Sequence, residues 1–235
     1  MKCIFASYTN IGGRSNNEDA FLAMEKDGSY LLAVADGLGG HEYGEVASKA
    51  AVDAMKTAFA NENGFDMRSA LDQANVAVFG EQKKAGKQMH TTLACVYASG
   101  NELVLGHAGD TRIYLFFKDG TFSRTVDHSA SQIAVMAGEI TPEQIRQHED
   151  RNVLTKVLGG FENLRPEIAV IDAAKVEAVL ICSDGFWEYV LEPEMTGTLK
   201  RAGTPKKWLN LMRDFIRKRA PKNNDNNTAV AAFVK

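Results

Sequence analysis

The chain has 235 residues, of which 45% are hydrophobic, and its 27 basic and 30 acidic residues give a net charge of −3. Proteins that bind nucleic acid usually carry a basic excess, so this balance disfavours that class. No stretch approaches the ~18 apolar residues of a membrane span, and the first residues lack the apolar core of a signal peptide. The three cysteines lie in apolar runs, which favours reduced thiols, so we expect a cytoplasmic protein without a membrane partner.

The first third of the chain predicts three strands and two helices. Apolar runs indicate the strands, and Asp27-Gly28 predicts a hairpin turn between the second and the third. Apolar residues at three- and four-residue steps then predict a helix that ends at Asn63-Gly64, before a second helix. The predicted strands are 3–8, 20–24 and 30–35, and the predicted helices are 45–59 and 66–84.

The rest of the chain predicts further strands, a helical insertion and one long helix. Turns separate the strands from residue 91 to the segment after Gly120, which is typical of an antiparallel meander. The strand pattern stops between Asp127 and Arg151, where Thr141-Pro142 is a typical helix start, so we expect a helical insertion over the sheet. The predicted strands are 91–98, 103–108, 113–117, a short one after 120, 167–171, 176–183 and 229–234, and a late helix starts at Thr204.

These elements predict an α+β fold in a single domain that spans residues 1–235. No linker, repeat or low-complexity stretch divides the chain. The strands alternate in polarity but are too apolar to face water, which favours two mainly antiparallel sheets packed on each other with helices outside.

Four predicted strands carry an aspartate at one end, beside glycine or asparagine: Asp36, Asp110, Asp184 and Asp225. If these strand ends meet, the like charges either take up protons or bind a cation. Oxygen ligands suit Mg²⁺ or Mn²⁺, whereas zinc prefers histidine or thiolate. A single Asp-Gly after a strand is usually only a turn, so the hypothesis of a metal site depends on the repetition.

Neighbouring residues extend this hypothesis towards phosphate chemistry. Gly37 has no side chain, so its carbonyl oxygen can approach an ion closely. Two ions ~3.5–4 Å apart could share a hydroxide that attacks phosphorus, and the planar fork of Arg14 matches phosphate oxygens. His41 follows the glycine-rich turn and is a candidate proton donor, whereas His107 lies in an apolar strand and is expected to be a hydrogen-bonded core residue.

Taken together, the motifs resemble the metal-dependent type 2C (PPM) protein serine/threonine phosphatases in their bacterial form. Seven motifs occur in the order of that family and cover almost the whole chain. They are Arg14-Ser15-Asn16-Asn17-Glu18-Asp19, Asp36-Gly37-Leu38-Gly39-Gly40-His41 with Gly44 to Ser48, Gly109-Asp110-Thr111-Arg112, Asp127-His128-Ser129, Leu154 to Gly159, Ser183-Asp184-Gly185, and Asp225-Asn226-Asn227-Thr228.

The resemblance implies a four-layer α-β-β-α sandwich with a dinuclear Mn²⁺ or Mg²⁺ centre. Asp36 would bridge two ions, the carbonyl of Gly37 would bind the first, and Asp184 and Asp225 would bind the second. Glu18 and Asp19 would hold metal-bound waters. Asp110, with Asp184, would match a third, weaker metal site.

The implied activity is hydrolysis of phosphoserine and phosphothreonine in proteins by attack of a metal-bridging hydroxide. Arg14 would bind the substrate phosphate, and the segment at about 127–151 would be a helical flap that selects substrates. The implied partners are phosphorylated proteins, including a serine/threonine kinase and its targets, in bacterial signal transduction. We expect a monomer that binds no nucleic acid.

The sequence departs from the family at three places. Leu38 stands where eukaryotic members have the histidine that acts as general acid, so the proton donor is His41 or a metal-bound water. His90 replaces a glycine before Thr91-Thr92. Phe186-Trp187 is bulkier than the family pattern, and we interpret it as core packing beneath the site.

Two other functions compete with the active phosphatase. An inactive phosphatase-like regulator would bind phosphoproteins, but such relatives usually lose the metal aspartates or the arginine, which this chain retains. Another two-metal hydrolase, such as a nuclease, is disfavoured by the charge balance.

Overall fold

The computed structural model describes residues 1–38, 43–61 and 64–235. The strands are β1 (Cys3–Asn10), β2 (Asp19–Lys26), β3 (Ser29–Leu38), β4 (His90–Thr91), β5 (Leu93–Ser99), β6 (Glu102–Ala108), β7 (Arg112–Phe117), β8 (Phe122–Arg124), β9 (Glu167–Asp172), β10 (Val176–Cys182) and β11 (Asn227–Val234). The α-helices are α1 (Gly44–Ala60), α2 (Met67–Ala85), α3 (Ala130–Met136), α4 (Asp184–Trp187), α5 (Glu192–Leu199) and α6 (Pro205–Arg219). Pro142–Gln147 and Ala173–Lys175 form short 3₁₀ helices.

The strands form two antiparallel sheets that pack face to face. The first sheet has the order β1-β11-β10-β7-β8, and the second has the order β2-β3-β5-β6-β9, with β4 paired to the end of β3. Buried apolar residues fill three interfaces: between α1, α2 and the second sheet, between the two sheets, and between the first sheet and α4, α5 and α6. The expected four-layer α+β sandwich is therefore confirmed.

The long helices follow from their apolar stripes. Ala47, Ala51 and Met55 are fully buried on α1, and Trp208 and Met212 are fully buried on α6. Burial of each large side chain contributes about 1.5–3 kcal/mol. No helix in the described ranges combines the length and the apolar character needed to cross a bilayer.

The three cysteines are buried free thiols, as their apolar surroundings predicted. Burial raises the pKa of Cys3 to about 11 and that of Cys95 to about 12. Burial also raises the pKa of Cys182, which lies at the end of β10. All three therefore contribute to packing as small apolar groups.

Three sequence-based expectations about the elements were wrong. β3 does not end at Asp36 but continues to Leu38, because Gly37 and Leu38 pair with the separate strand β4. The expected meander is divided between the sheets: β6 pairs with β5 and β9, whereas β7 pairs with β10. The chain crosses over at Gly109, whose φ of 108° is accessible mainly to glycine. The short helices α4 and α5 were missed, because segments of four and eight residues are too short for a helical period to show.

Gly37 allows the end of β3 to approach the start of α1. A Cβ atom at Gly37 would overlap the carbonyl group of Gly44 and would lie 2.8 Å from the carbonyl oxygen of Glu18. All these neighbours are backbone atoms, so neither element could yield without a shift of the strand or the helix. The close approach places the first turn of α1 beside Asp36.

We expect Gly37→Ala to lower the free energy of unfolding by about 1–3 kcal/mol, because the added methyl group overpacks this contact. Gly80→Ala is the matched control, since an added Cβ in the middle of α2 meets nothing within 4 Å. It should raise the free energy of unfolding by about 0.5–1 kcal/mol. Urea unfolding of both variants in the presence of a chelator measures the difference. Equal effects of the two substitutions would contradict the close-approach argument.

Candidate active site

Seven of the residues selected from the sequence line one cavity of about 430 Å³. They are Arg14, Glu18, Asp36, Gly37, Asp110, Asp184 and Asp225. The other lining residues are Ser15, Asn16, Leu38, Asn152, Leu154 and Asn226. His41 lies outside the described residues.

The elements bring the four aspartates to one end of the sandwich. Asp36 lies within β3, and Asp110 lies in the connection between β6 and β7. Asp184 is the first residue of α4, and Asp225 precedes β11 by two residues. Because β10 and β11 are antiparallel neighbours, the end of one strand and the start of the other place Asp184 and Asp225 side by side.

Burial and mutual repulsion strongly perturb the carboxylates of this cavity. Burial raises the pKa of Asp36 well above its usual value, and the charges of Asp19, Asp184 and Asp110 raise it further. Burial, followed by the charge of Asp110, likewise raises the pKa of Asp184. Burial is also the main cause that raises the pKa of Asp110 to about 7. These carboxylates are therefore costly to ionise together without a positive partner.

Asp19, which the sequence also selected, does not line this cavity but is a neighbour of Asp36 in the sheet. It pairs with Asp36 across β2 and β3, and its Oδ2 atom accepts a hydrogen bond of 2.8 Å from the Ser183 hydroxyl. Burial raises its pKa to about 7. Glu18, on the cavity side, has a pKa that is raised first by burial and then by the charge of Asp225.

Two buried carboxylate oxygens have no hydrogen-bond partner among the described residues. They are Oδ1 of Asp19 and Oδ1 of Asp184. An unpaired buried oxygen on a carboxylate is costly, and such atoms commonly mark a missing ion or water. The donor set consists of oxygen atoms only, so the residues fit Mg²⁺ or Mn²⁺.

Arg14 lines the cavity and forms a bidentate ion pair with Asp225. Its Nε atom donates to Oδ1 at 3.0 Å and its Nη2 atom donates to Oδ2 at 2.7 Å. The side chains are 55% and 40% exposed, so the pair contributes only about 0–1 kcal/mol to stability. The pair can therefore open at low cost and release both groups for other ligands.

Asn226 holds the loops around the cavity together, a role that sequence reasoning missed. Its Oδ1 atom accepts the amide of Glu18 at 2.7 Å, and its Nδ2 atom donates to the carbonyls of Ile11 and Asn16. This single buried amide thereby fixes the segments that carry Arg14 and Glu18. A run of asparagines next to an aspartate was the only sequence feature that could have indicated this role.

Asp110 is positioned through its backbone by Trp187. The indole Nε1 atom donates to the Asp110 carbonyl at 3.0 Å. The guanidinium of Arg112 stacks 3.5 Å from the Trp187 ring, and Asp127 accepts two hydrogen bonds from Arg112 at 2.8 and 2.5 Å. The prediction that Trp187 is buried is confirmed, but the ring also carries a hydrogen bond that the packing interpretation did not include.

A second cluster of possible metal ligands lies outside the cavity and consists of His107, His128 and Glu167. The amide of Gly109 donates to Nδ1 of His128 at 3.0 Å, and Nε2 of this ring lies 2.9 Å from Glu167 Oε1. The ammonium of Lys156 lies 3.1 Å from the same Nε2 atom. His128 thus contacts protein groups at both ring nitrogens, and its Nδ1 atom supports the Gly109 turn.

Ion pairs join the segment 127–151 to the start of α5 and the end of α4. Both oxygens of Glu192 accept Arg146 Nη2 at 2.8 Å, and Arg146 Nε donates to the Trp187 carbonyl at 3.1 Å. Arg151 Nε donates to Glu188 at 2.6 Å. The segment holds α3 and the 3₁₀ helix at Pro142, and the residues that follow it, Asn152 and Leu154, line the cavity.

Comparison with known proteins supports this architecture. The family model described as "Protein phosphatase 2C" matches residues 8–228. The chain is 34% identical to "Serine/threonine protein phosphatase PstP" of Mycobacterium tuberculosis over 228 residues, which cover 94% of this chain and 43% of that protein. The chain thus spans less than half the length of this relative.

Two solved structures share the fold. The serine/threonine phosphatase Stp1 from Staphylococcus aureus matches with a TM-score of 0.89 and 29% identity, covering 98% of this chain and 94% of that chain. The catalytic domain of PstP in complex with two manganese ions matches with a TM-score of 0.84 and 30% identity, covering 98% and 97%.

We expect the free energy of unfolding to fall as the pH rises from about 4 to about 7 when a chelator is present. Asp19 and Asp110 have a pKa of about 7 in the folded protein against 3.8 for an ordinary aspartate. In this window the folded protein therefore binds more protons than the unfolded chain, and stability is lost as they are released. Urea unfolding between pH 5 and 8 measures this slope.

Mn²⁺ should reduce the slope, because a cation replaces the protons as the partner of the carboxylates. Asp36→Asn should also reduce it, whereas Asp119→Asn, at an exposed turn, should leave it unchanged. A stability that rises between pH 5 and 7 with chelator would show that the carboxylates do not repel one another as argued.

Proposed function

The chain belongs to the protein phosphatase 2C family, and we propose that it is a metal-dependent phosphatase that hydrolyses phosphoserine and phosphothreonine in proteins. The observation that carries this proposal is the convergence of Asp36, Asp184 and Asp225 with Arg14 in one cavity. The carboxylates provide an oxygen-only site for cations, and the guanidinium is a donor suited to phosphate. The names of the relatives, which are serine/threonine phosphatases, agree with this chemistry.

We assign two Mn²⁺ or Mg²⁺ ions to the cavity, with Asp36 as the shared ligand. The Gly37 carbonyl would hold the first ion, and Asp184 and Asp225 would hold the second. Glu18 and Asp19 would act through water, and Asp110 with Asp184 would form a third, weaker site. When bound, the ions supply a hydroxide nucleophile and neutralise the charge of the phosphate.

The remaining steps are assigned to residues of the chain itself. Arg14 leaves Asp225 and orients the phosphate through its two parallel N–H groups. His41 is the proposed proton donor to the leaving serine or threonine oxygen. The segment 127–151 is the proposed flap that contacts the substrate protein, since it leads directly into Asn152 and Leu154 at the cavity.

The proposed substrates are phosphorylated proteins, including a serine/threonine kinase and its targets, and we propose that the protein acts as a monomer in the cytoplasm. The alternative, an inactive phosphoprotein-binding regulator, is less well supported. Such inactive proteins have usually lost a metal-binding aspartate or the phosphate-binding arginine. Here the arginine and the three aspartates are present and line the same cavity, namely Arg14, Asp36, Asp184 and Asp225.

Phosphate release from a phosphothreonine peptide tests the proposal. We expect activity with Mn²⁺, none with chelator, and a loss of at least ~100-fold in kcat for Asp36→Asn, because the shared ligand is lost. Asp53→Asn, on the exposed face of α1, is the control and should retain full activity. Absence of phosphate release by the Mn²⁺-loaded protein from several such peptides would contradict the proposal.

Arg14→Lys tests the role of the guanidinium fork. Lysine keeps the charge but cannot donate two parallel hydrogen bonds, so we expect kcat/KM for the peptide to fall by about tenfold or more. Manganese affinity, measured by calorimetry, should change little, because Arg14 is not an assigned ligand. A large loss of Mn²⁺ affinity with an unchanged KM would assign Arg14 to the metal centre instead.

A further inference from the structure

A smaller pocket of about 250 Å³ lies between α6 and β1. We call it the α6 pocket. Its polar lining consists of Tyr8, Asn10, Arg213, Arg217, Asn224 and Asn227. None of the described residues that line it is acidic, so its polar groups are cationic or neutral.

The α6 pocket lies on the most basic helix of an acidic chain. α6 carries six lysine or arginine residues and one aspartate, although the whole chain has a net charge of −3. Arg219 is engaged by Glu194 at the far end of the helix. Arg217 lies 3.6 Å from Asp214, and both side chains are more than half exposed, so this contact contributes little.

Arg213 is held against Tyr8 at the wall of the α6 pocket. Its guanidinium lies 4.4 Å from the centre of the Tyr8 ring, and Nη1 donates to Asn210 at 3.1 Å. Its Nε atom is buried and has no acceptor among the described residues, so an anion in the pocket would meet the guanidinium through its terminal nitrogens. A guanidinium held against an aromatic ring loses little entropy when it binds a carboxylate or phosphate.

The charges of Arg213 and Arg217 both act on the Tyr8 hydroxyl. Burial raises the pKa of Tyr8, and the positive charges of Arg213 and Arg217 oppose this rise. The Tyr8 hydroxyl itself is committed as a donor to Asn227 Oδ1 at 2.7 Å. No acidic residue among the described lining residues neutralises the positive charge of Arg213 and Arg217 at the pocket.

One thin wall separates the α6 pocket from the candidate active site. Asn224 and Asn227 line the pocket, whereas Asp225 and Asn226 between them line the active-site cavity. The amides of Asn224 and Asn227 both donate to the Asp225 carbonyl, at 3.2 and 3.1 Å. Gly12 lines the pocket only two residues before Arg14, which lines the cavity.

We infer that the α6 pocket binds a second anionic group of the phosphoprotein, a carboxylate or phosphoryl group that lies close in sequence to the residue being hydrolysed. Arg213 and Arg217 provide the donors, and the asparagines complete a polar wall without competing charge. The inference rests on the proposed function, since it takes the first phosphate to be held at Arg14. It predicts a substrate class: phosphopeptides with an additional acidic residue.

A peptide series tests this inference. Each peptide carries one phosphothreonine and, at ~2–5 residues on either side, alanine, glutamate or a non-hydrolysable phosphoserine phosphonate, because an extended chain covers about 3.3 Å per residue. We expect kcat/KM at the best spacing to exceed that of the alanine peptide about tenfold. The glutamate and phosphonate arms identify which anion is preferred.

Two double variants of α6 test whether the preference for acidic peptides arises in the α6 pocket. Arg213→Gln/Arg217→Gln should reduce the ratio between acidic and alanine peptides to about 1. Lys206→Gln/Lys207→Gln removes the same charge from exposed residues of the same helix outside the pocket and should keep the tenfold ratio. A wild-type ratio near 1 at every spacing, or an equal loss in both double variants, would overturn the inference.

Binding separates this inference from the proposed function. If no peptide and no p-nitrophenyl phosphate is hydrolysed, the proposed function fails, and fluorescence anisotropy of the same labelled peptides still tests the pocket. Tighter binding of the acidic peptide by the wild type, but not by Arg213→Gln/Arg217→Gln, would support the α6 pocket. Equal binding of acidic and alanine peptides would overturn it.

Discussion

Repulsion between buried carboxylates is the constraint on which the rest of this structure depends. Asp36 and Asp184 line the same cavity, where burial raises the pKa of both and the charges of Asp19 and Asp110 raise it further. Such a cluster opposes folding, so the free energy that assembles it comes from elsewhere. Three apolar layers and two continuous sheets supply that free energy and fix the strand ends at which the acidic residues lie.

The polar supports of the cavity hold backbone atoms and leave acidic side chains free. Trp187 binds the carbonyl of Asp110, and Asn226 binds the amide of Glu18. His128 accepts the amide of Gly109, one residue before Asp110. These three contacts thus position Asp110 and Glu18 without using their carboxylate oxygen atoms, which is the arrangement that a cation site requires. Asp19 is the buried exception, since its Oδ2 atom accepts a hydrogen bond from Ser183. The pair of Arg14 with Asp225 is the exposed exception, and it is weak enough to open.

The sequence predicted the layers and most of the site, because both depend on strong local patterns. Apolar periodicity located α1, α2 and α6, and an adjacent glycine marked three of the four aspartates. The continuation of β3 past Asp36 could not be predicted, because it depends on pairing with the distant strand β4. The hydrogen bonds of the Asn226 side chain to neighbouring loops and the hydrogen bond from Trp187 to Asp110 were also missed. Both connect segments separated by many residues, and neither residue type indicates its partner.

The state of the three cysteines has a chemical consequence. A thiol reacts with oxidants and alkylating agents as the thiolate, and burial raises the pKa of Cys3 to about 11 and of Cys95 to about 12. Cys182 lies only two residues before Asp184, yet its thiol is fully buried and its pKa is also raised. Peroxide and iodoacetamide therefore find no activated sulfur beside the acidic cavity. The proposed activity uses oxygen ligands and no thiol, so we expect it to persist under oxidising conditions that inactivate hydrolases with a cysteine nucleophile.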